Sequence, residues 1–101
     1  MSGAPHLGTL EGGTHARRVV ALAGALAEAG VAQIDLSIPG RPPRVLRARE
    51  SDLPGVLQEP RHGVVLLTAR GGTRIEVTRD AIRWRTADRL IAERLRDARA
   101  A

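Results

Sequence analysis

Several residue types are missing from this chain of 101 residues, and each absence excludes a class of site. There is no cysteine, which excludes disulfides, thiolate nucleophiles and cysteine-bound zinc or iron–sulfur centres. Phenylalanine and tyrosine are also absent and Trp84 is the only tryptophan, so the chain lacks the row of aromatic rings on which single-stranded nucleic acid stacks. All 16 basic residues are arginine. Histidine, arginine, carboxylate and hydroxyl groups remain for chemistry.

A long apolar run is missing too. The longest one, residues 19–27, is interrupted by Gly24 and is much shorter than the ~20 residues that a membrane-spanning helix needs. The first residues have neither the basic segment nor the apolar core of a signal peptide. We therefore expect a cytoplasmic protein without a membrane partner.

The chain contains 43% hydrophobic and 27% charged residues, a balance that predicts one small globular domain. Residues 1–13 contain four glycines and a proline, so we expect a flexible N-terminal arm, with His6–Leu10 at best a short edge strand. Residues 14–101 would form a single α+β domain. The net charge of +5 belongs to its later part, because residues 1–60 hold six arginines and six acidic residues whereas residues 61–101 hold ten and five.

Apolar periodicity predicts the main elements. Apolar residues recur at helical spacing from Val19 to Leu26, which indicates a first helix that ends at Gly30. Thr14 or His15 can cap the start of this helix. Alternating or continuous apolar runs indicate strands at Gln33–Pro39, Arg44–Ala48, Val64–Ala69 and Arg74–Thr78, with a short helix at Ser51–Leu57 and a tight turn at Gly71–Gly72.

The segment after these strands fits two patterns. Ala81–Arg85 is either a further strand or part of a long helix that begins at Asp80. In both cases the residues after Thr86 are helical. The fold class that this order predicts is α+β, an open-faced sandwich in which an antiparallel sheet of about four strands carries two main helices on one face.

One short motif carries chemistry: Gly13-Thr14-His15-Ala16-Arg17 places a histidine at the start of the first helix. The free backbone N–H groups and the positive end of the helix dipole at that position stabilise a phosphoryl group on an imidazole. A neutral imidazole nitrogen is a nucleophile for phosphoryl transfer. Arg17 can pair with the phosphate oxygens. His15 is therefore the candidate phosphoryl acceptor and Arg17 the candidate phosphate clamp.

These residues resemble the signature Gly-Leu-His-Ala-Arg-Pro of the histidine phosphocarrier (HPr) family of the sugar phosphotransferase system. The resemblance continues in order over residues 13–72: Gln33–Leu36 is similar to the family's second strand, Ser51–Leu57 to its regulatory-serine helix and Gly63–Gly71 to its fourth strand with the glycine that follows. It implies a non-enzymatic carrier without a cofactor, a phosphoryl donor similar to Enzyme I, and a kinase target at Ser51.

The sequence departs from that family in several places. Arg18 stands where the family has proline, and Thr14 stands where it has leucine. The segment Thr73–Arg85, which has the pattern of β structure, is inserted before the last helix. The strand that precedes the family's site would have to lie within the glycine-rich residues 1–13.

A second class of function also fits the sequence, a partner-binding or oligomerising adaptor. Its candidate surface consists of Arg83, Arg85 and Arg89. Arginines beside Trp84 can contact nucleic acid, although a lone tryptophan between arginines is more typical of a core residue below a solvated face. The small side chains of the first helix also allow a homodimer, through Ala21, Ala23, Ala25 and Ala27. The three histidines lie in segments of different type, so no metal site is expected.

Overall fold

The computed structural model describes residues 4–47, 56–57 and 64–98. Their elements are, in chain order, β1 (His6–Leu10), α1 (His15–Glu28), β2 (Gln33–Ser37), β3 (Arg44–Arg47), β4 (Val65–Ala69), β5 (Thr73–Val77), β6 (Ile82–Thr86) and α2 (Arg89–Asp97). Residues 56–57 are helical, and the remainder of the predicted short helix lies outside the described residues. Neither α1 nor α2 is long and apolar enough to cross a membrane.

The strands form one antiparallel sheet in the order β1-β6-β5-β4-β2-β3. The fold class is α+β with helices on a sheet, but the prediction of about four strands is wrong, because the described residues contain six. β4, β5 and β6 form a meander, and β2 pairs with β4 on one side and β3 on the other. The two additional strands are β1 and β6.

β6 is the segment that fitted both a strand and a helix. Ile82 and Trp84 are buried while Arg83 and Arg85 are exposed, which is the period of a strand. This strand has neighbours on both sides, β5 and β1, and their backbone groups satisfy its own. The local sequence fits a strand and a helix equally well, and pairing with β5 and β1 makes this segment a strand.

β1 lies in the segment that we expected to be an arm. It pairs antiparallel with β6, with Gly8 directly opposite Trp84. A Cβ atom on Gly8 would lie 2.1 Å from the tryptophan ring, so the absence of a side chain makes room for the ring. On α2, the Arg96 guanidinium lies 5.9 Å from the centroid of the same ring. The glycine that argued against a strand is what allows this one to form.

The core lies between the helices and one face of the sheet. Alternate strand residues point toward α1 and α2 and are buried, as in β2, where Ile34 and Leu36 are 1% exposed. They join the buried faces of both helices in one cluster, which includes Leu22, Leu26, Leu67, Ile75, Ile82 and Ile91. The opposite face of the sheet carries no helix in the described part of the chain, and its side chains are exposed or half-buried.

Arg70, directly after β4, joins the end of α1 to the start of α2. Its guanidinium donates to the carbonyl oxygens of Gly30 at 2.9 Å and Ala29 at 2.5 Å, where the negative end of the helix dipole lies. It also pairs with Asp88 at 3.1 Å. Asp88 caps α2 by accepting a hydrogen bond from the Ile91 N–H at 3.1 Å. This hydrogen bond, together with Arg70, holds the pKa of the Asp88 carboxyl below its ordinary value.

Candidate functional site

α1 begins at His15, the residue for which the sequence predicts phosphoryl chemistry. Thr14 is its N-cap: the backbone there is extended, and the side-chain oxygen accepts a hydrogen bond from the Arg17 N–H at 3.2 Å. Gly12 and Gly13 lead into the cap with φ values of 83° and 61°, which favour glycine. The imidazole is therefore attached to the first turn of α1, at the positive end of the helix dipole.

The imidazole ring is tied to a distant part of the chain. His15 Nε2 lies 2.7 Å from the backbone carbonyl oxygen of Leu57, a residue that is fully buried. A carbonyl oxygen only accepts hydrogen bonds, so in the neutral ring Nε2 carries the proton and Nδ1 holds the lone pair. Nδ1 is buried and has no hydrogen-bond partner among the described residues.

Arg18 is a buried cation that holds the loop before His15. The residue is 5% exposed, and its Nη1 donates to the carbonyl oxygens of Gly12 at 2.8 Å and Gly13 at 2.9 Å. Its Nη2 donates to the carbonyl oxygen of Arg79. These three oxygens accept from Nη1 and Nη2, whereas Nε is buried and has no hydrogen-bond partner among the described residues. Arg18 thereby connects the start of α1 to the turn between β5 and β6.

In the sequence, Arg18 stands out only as a departure from the resembled family, and its contacts with the loop are not predicted. A signal was present, because Arg18 lies four residues before Leu22, on the helix face that the apolar pattern assigns to the core. A charged residue in an apolar stripe needs buried partners, since an unpaired buried charge is costly. Arg17 is exposed in the same turn of α1.

The other predicted residues do not lie with His15. Ser51 lies outside the described residues. Arg83 and Arg85 are exposed on the face of the sheet opposite α1 and α2. Arg89 is in the first turn of α2, on the opposite face, and pairs with Glu93 at 3.2 Å. The structure therefore separates Arg89 from the two other arginines of the candidate partner surface.

Two further expectations concern aromatic and metal chemistry. Trp84 is 4% exposed and lies on the helix-covered face, so its ring does not offer nucleic acid a stacking surface. Over residues 4–47, 56–57 and 64–98, no group of three histidine and acidic side chains is placed to hold a metal ion. In α1, Ala23 and Ala25 are buried within the chain itself, so packing in the core accounts for these two small residues.

No family model matches this chain, and neither does any curated protein or solved structure. A function can therefore be assigned to the candidate site only from the chemistry of its own residues.

Proposed function

We propose that this protein is a small, non-enzymatic phosphoryl carrier of the cytoplasm that accepts a phosphoryl group on His15. The observation that carries the proposal is the placement of this histidine as the first residue of α1, behind the N-cap Thr14. Apart from the Arg17 N–H, which donates to Thr14, the N–H groups of the first turn have no carbonyl partner within the helix, and they and the helix dipole attract an anionic group there. β1 leads directly into the site, as the resemblance to the histidine phosphocarrier family implies.

The ring geometry favours Nδ1 as the accepting atom. While Nε2–H donates to the Leu57 oxygen, Nδ1 holds the lone pair that attacks phosphorus. The bond from Nδ1 to phosphorus forms as the bond from phosphorus to the donor breaks, and the electron pair of the broken bond leaves with the donor. The Nε2 proton stays on the ring, and the Leu57 oxygen at 2.7 Å stabilises the positive charge that the ring acquires. Because Nδ1 is buried, the His15 side chain must move to expose this atom before transfer.

Arg17 supplies the second part of the proposed site. Its exposed side chain leaves the first turn of α1, and a guanidinium pairs with two oxygens of a phosphoryl group at once. The donor implied by the resemblance is Enzyme I charged by phosphoenolpyruvate, and Ser51 would be the site of regulatory phosphorylation. Arg17 would hold the transferred group by hydrogen bonds and charge, without a covalent bond to it.

The experiment that tests the proposal is intact-protein mass spectrometry after incubation with a phosphoryl donor. Two donors are used separately: phosphoenolpyruvate with Enzyme I, and phosphoramidate, which phosphorylates histidine without a protein partner. We expect one acid-labile phosphoryl group per chain. It is lost in His15→Ala and retained in the matched variant His6→Ala, which removes a half-buried histidine of β1.

The two donors separate the possible failures. Phosphorylation by phosphoramidate alone would show a reactive His15 with a different protein donor. No adduct from either donor, or an adduct that persists in His15→Ala, would contradict the proposal, provided that a reference carrier is phosphorylated in parallel.

A further inference from the structure

The face of the sheet opposite α1 and α2 carries a cluster of arginines that the phosphoryl-carrier proposal does not use. Arg74 of β5 and Arg83 and Arg85 of β6 point away from the helices and are exposed. We name these three residues the arginine face. We propose that the arginine face binds an extended acidic segment of a partner protein.

The register of β5 and β6 makes this cluster electrostatically unbalanced. Arg74 lies directly opposite Arg85, and like charges in such cross-strand positions repel. Glu76 lies opposite Arg83, so the patch holds three positive charges and one negative charge. Within the described part of the chain, none of the three guanidinium groups forms a hydrogen bond or an ion pair. A ligand that carries several carboxylates would balance the positive charge of this patch.

The spacing of the arginines matches an extended chain. Arg83 and Arg85 are two residues apart on one strand, which separates their positions by about 6.7 Å along the strand. Alternate side chains of an extended peptide have the same repeat. A segment with an acidic residue at every second position can therefore place successive carboxylates against successive guanidinium groups, which is favourable geometry for charge-assisted hydrogen bonds.

Other features of this face favour a protein over a nucleic acid. Leu7, which lies directly opposite Arg85 on β1, is 66% exposed and offers an apolar contact to an aliphatic side chain. The single tryptophan is buried on the other face, so bases find no stacking platform. Three arginines around Glu76 also supply few phosphate contacts compared with the cationic surfaces that bind duplex DNA.

The test is fluorescence anisotropy with a labelled peptide of alternating glutamate and valine. The comparison probes are the same peptide with lysine for glutamate and a short DNA duplex. We expect the acidic peptide to bind and the lysine peptide not to bind. The double variant Arg83→Glu/Arg85→Glu should weaken binding of the acidic peptide by at least about tenfold, because two exposed ion pairs become repulsive.

The matched control is Arg41→Glu/Arg44→Glu, which changes the net charge by the same amount. Arg41 follows β2, and Arg44 lies opposite Leu36, on the other side of the sheet from the arginine face. This control should bind within about twofold of the unaltered protein, since exposed charges at a distance are screened. Equal losses in both double variants would contradict the proposal, because net charge alone would then explain the binding.

Folding of the variants can be checked separately. Arg85→Glu places a carboxylate opposite Arg74, so its melting temperature should be equal to or above that of the unaltered protein while peptide binding falls. Tighter binding of the DNA duplex than of the acidic peptide, lost in the same variant, would instead assign the arginine face to nucleic acid. Absence of binding by the acidic peptide at low salt would also overturn the proposal.

Discussion

At the scale of single residues, Gly8 decides whether β1 can join the sheet. Its Cα lies opposite Trp84, and the ring occupies the space that any side chain would need. In general, glycine weakens a strand because it loses more conformational freedom than other residues and has no side chain to pack. Here the ring of Trp84 supplies that packing from the neighbouring strand.

We therefore predict opposite effects for two glycine-to-alanine substitutions. Gly8→Ala puts a Cβ 2.1 Å from the Trp84 ring and should lower the free energy of unfolding by about 1–3 kcal/mol, the usual result of overpacking. Gly24→Ala, inside α1 with no atom within 4 Å of the new Cβ, should raise it by up to about 1 kcal/mol. Urea unfolding measures both. Equal stability of Gly8→Ala and the unaltered protein would contradict the close contact.

Asp88 gives a prediction for pH. Because its folded-state pKa is below the ordinary value, its contribution to stability is present above the ordinary carboxyl pKa of about 4. That contribution is lost as the pH falls through the lowered folded-state pKa. Asp88→Ala should lower the free energy of unfolding at pH 7 by about 1 kcal/mol, because α2 loses its cap.

Asp88→Asn is the informative control for this effect. An asparagine keeps an oxygen for the Ile91 N–H but loses the charge that pairs with Arg70. Its stability should therefore fall less than that of Asp88→Ala at pH 7. Thermal unfolding between pH 7 and 2 should also show a smaller loss on acidification for Asp88→Asn than for the unaltered protein. Identical pH profiles would show that the Asp88 charge does not contribute.

At the scale of elements, the sequence predicts the turns and strands whose formation depends on residues adjacent in the chain. The Gly71–Gly72 turn between β4 and β5 and the alternation of β2 are local features, and both are present in the structure. β6 and β1 depend on a partner strand instead. The pattern of Ala81–Arg85 fits a helix as well as a strand, and only pairing with β5 and β1 distinguishes them.

The loop between β1 and α1 is the element that positions His15, and Arg18 fixes it. Arg18→Met removes the donor from three carbonyl oxygens, and we expect the free energy of unfolding to fall by about 2 kcal/mol. The free energy of unfolding of Arg18→Lys should lie between those of Arg18→Met and the unaltered protein, because an ammonium keeps the charge but not the planar arrangement of donors. Urea unfolding compares the three proteins. A fully stable Arg18→Met would show that the buried guanidinium does not hold the loop.

At the scale of the whole molecule, β1 and β6 lie near opposite ends of the chain and pair at one edge of the sheet. Sequence periodicity carries no information about such a pairing, so the sequence predicts β1 at best as a short edge strand and leaves β6 open between a strand and a helix. The candidate site also combines features that adjacent residues predict with contacts that only the fold brings together. The cap, the histidine and Arg17 follow from adjacent residues, whereas the contact of His15 with Leu57 and that of Arg18 with Arg79 join segments far apart in the chain.

The arginine face is also predicted only in part by residues close together in the sequence. Alternation along one strand predicts that Arg83 and Arg85 share a face. The addition of Arg74 depends on the register of β5 against β6, and the exclusion of Arg89 depends on where α2 packs. A surface assembled from several elements requires the fold, because residues adjacent in the chain supply only part of it.

Phosphoryl transfer to His15 can be followed by NMR of the protein labelled with nitrogen-15 in its histidine rings. Spectra are recorded before and after incubation with Enzyme I and phosphoenolpyruvate and, separately, with phosphoramidate. Before transfer, the His15 ring should show a protonated Nε2 and an unprotonated Nδ1, as the hydrogen bond to Leu57 requires. After transfer, Nδ1 of His15 should show coupling to phosphorus, and the other histidines should be unchanged. Unchanged His15 resonances with both donors, while a reference carrier is phosphorylated under the same conditions, would contradict the proposal.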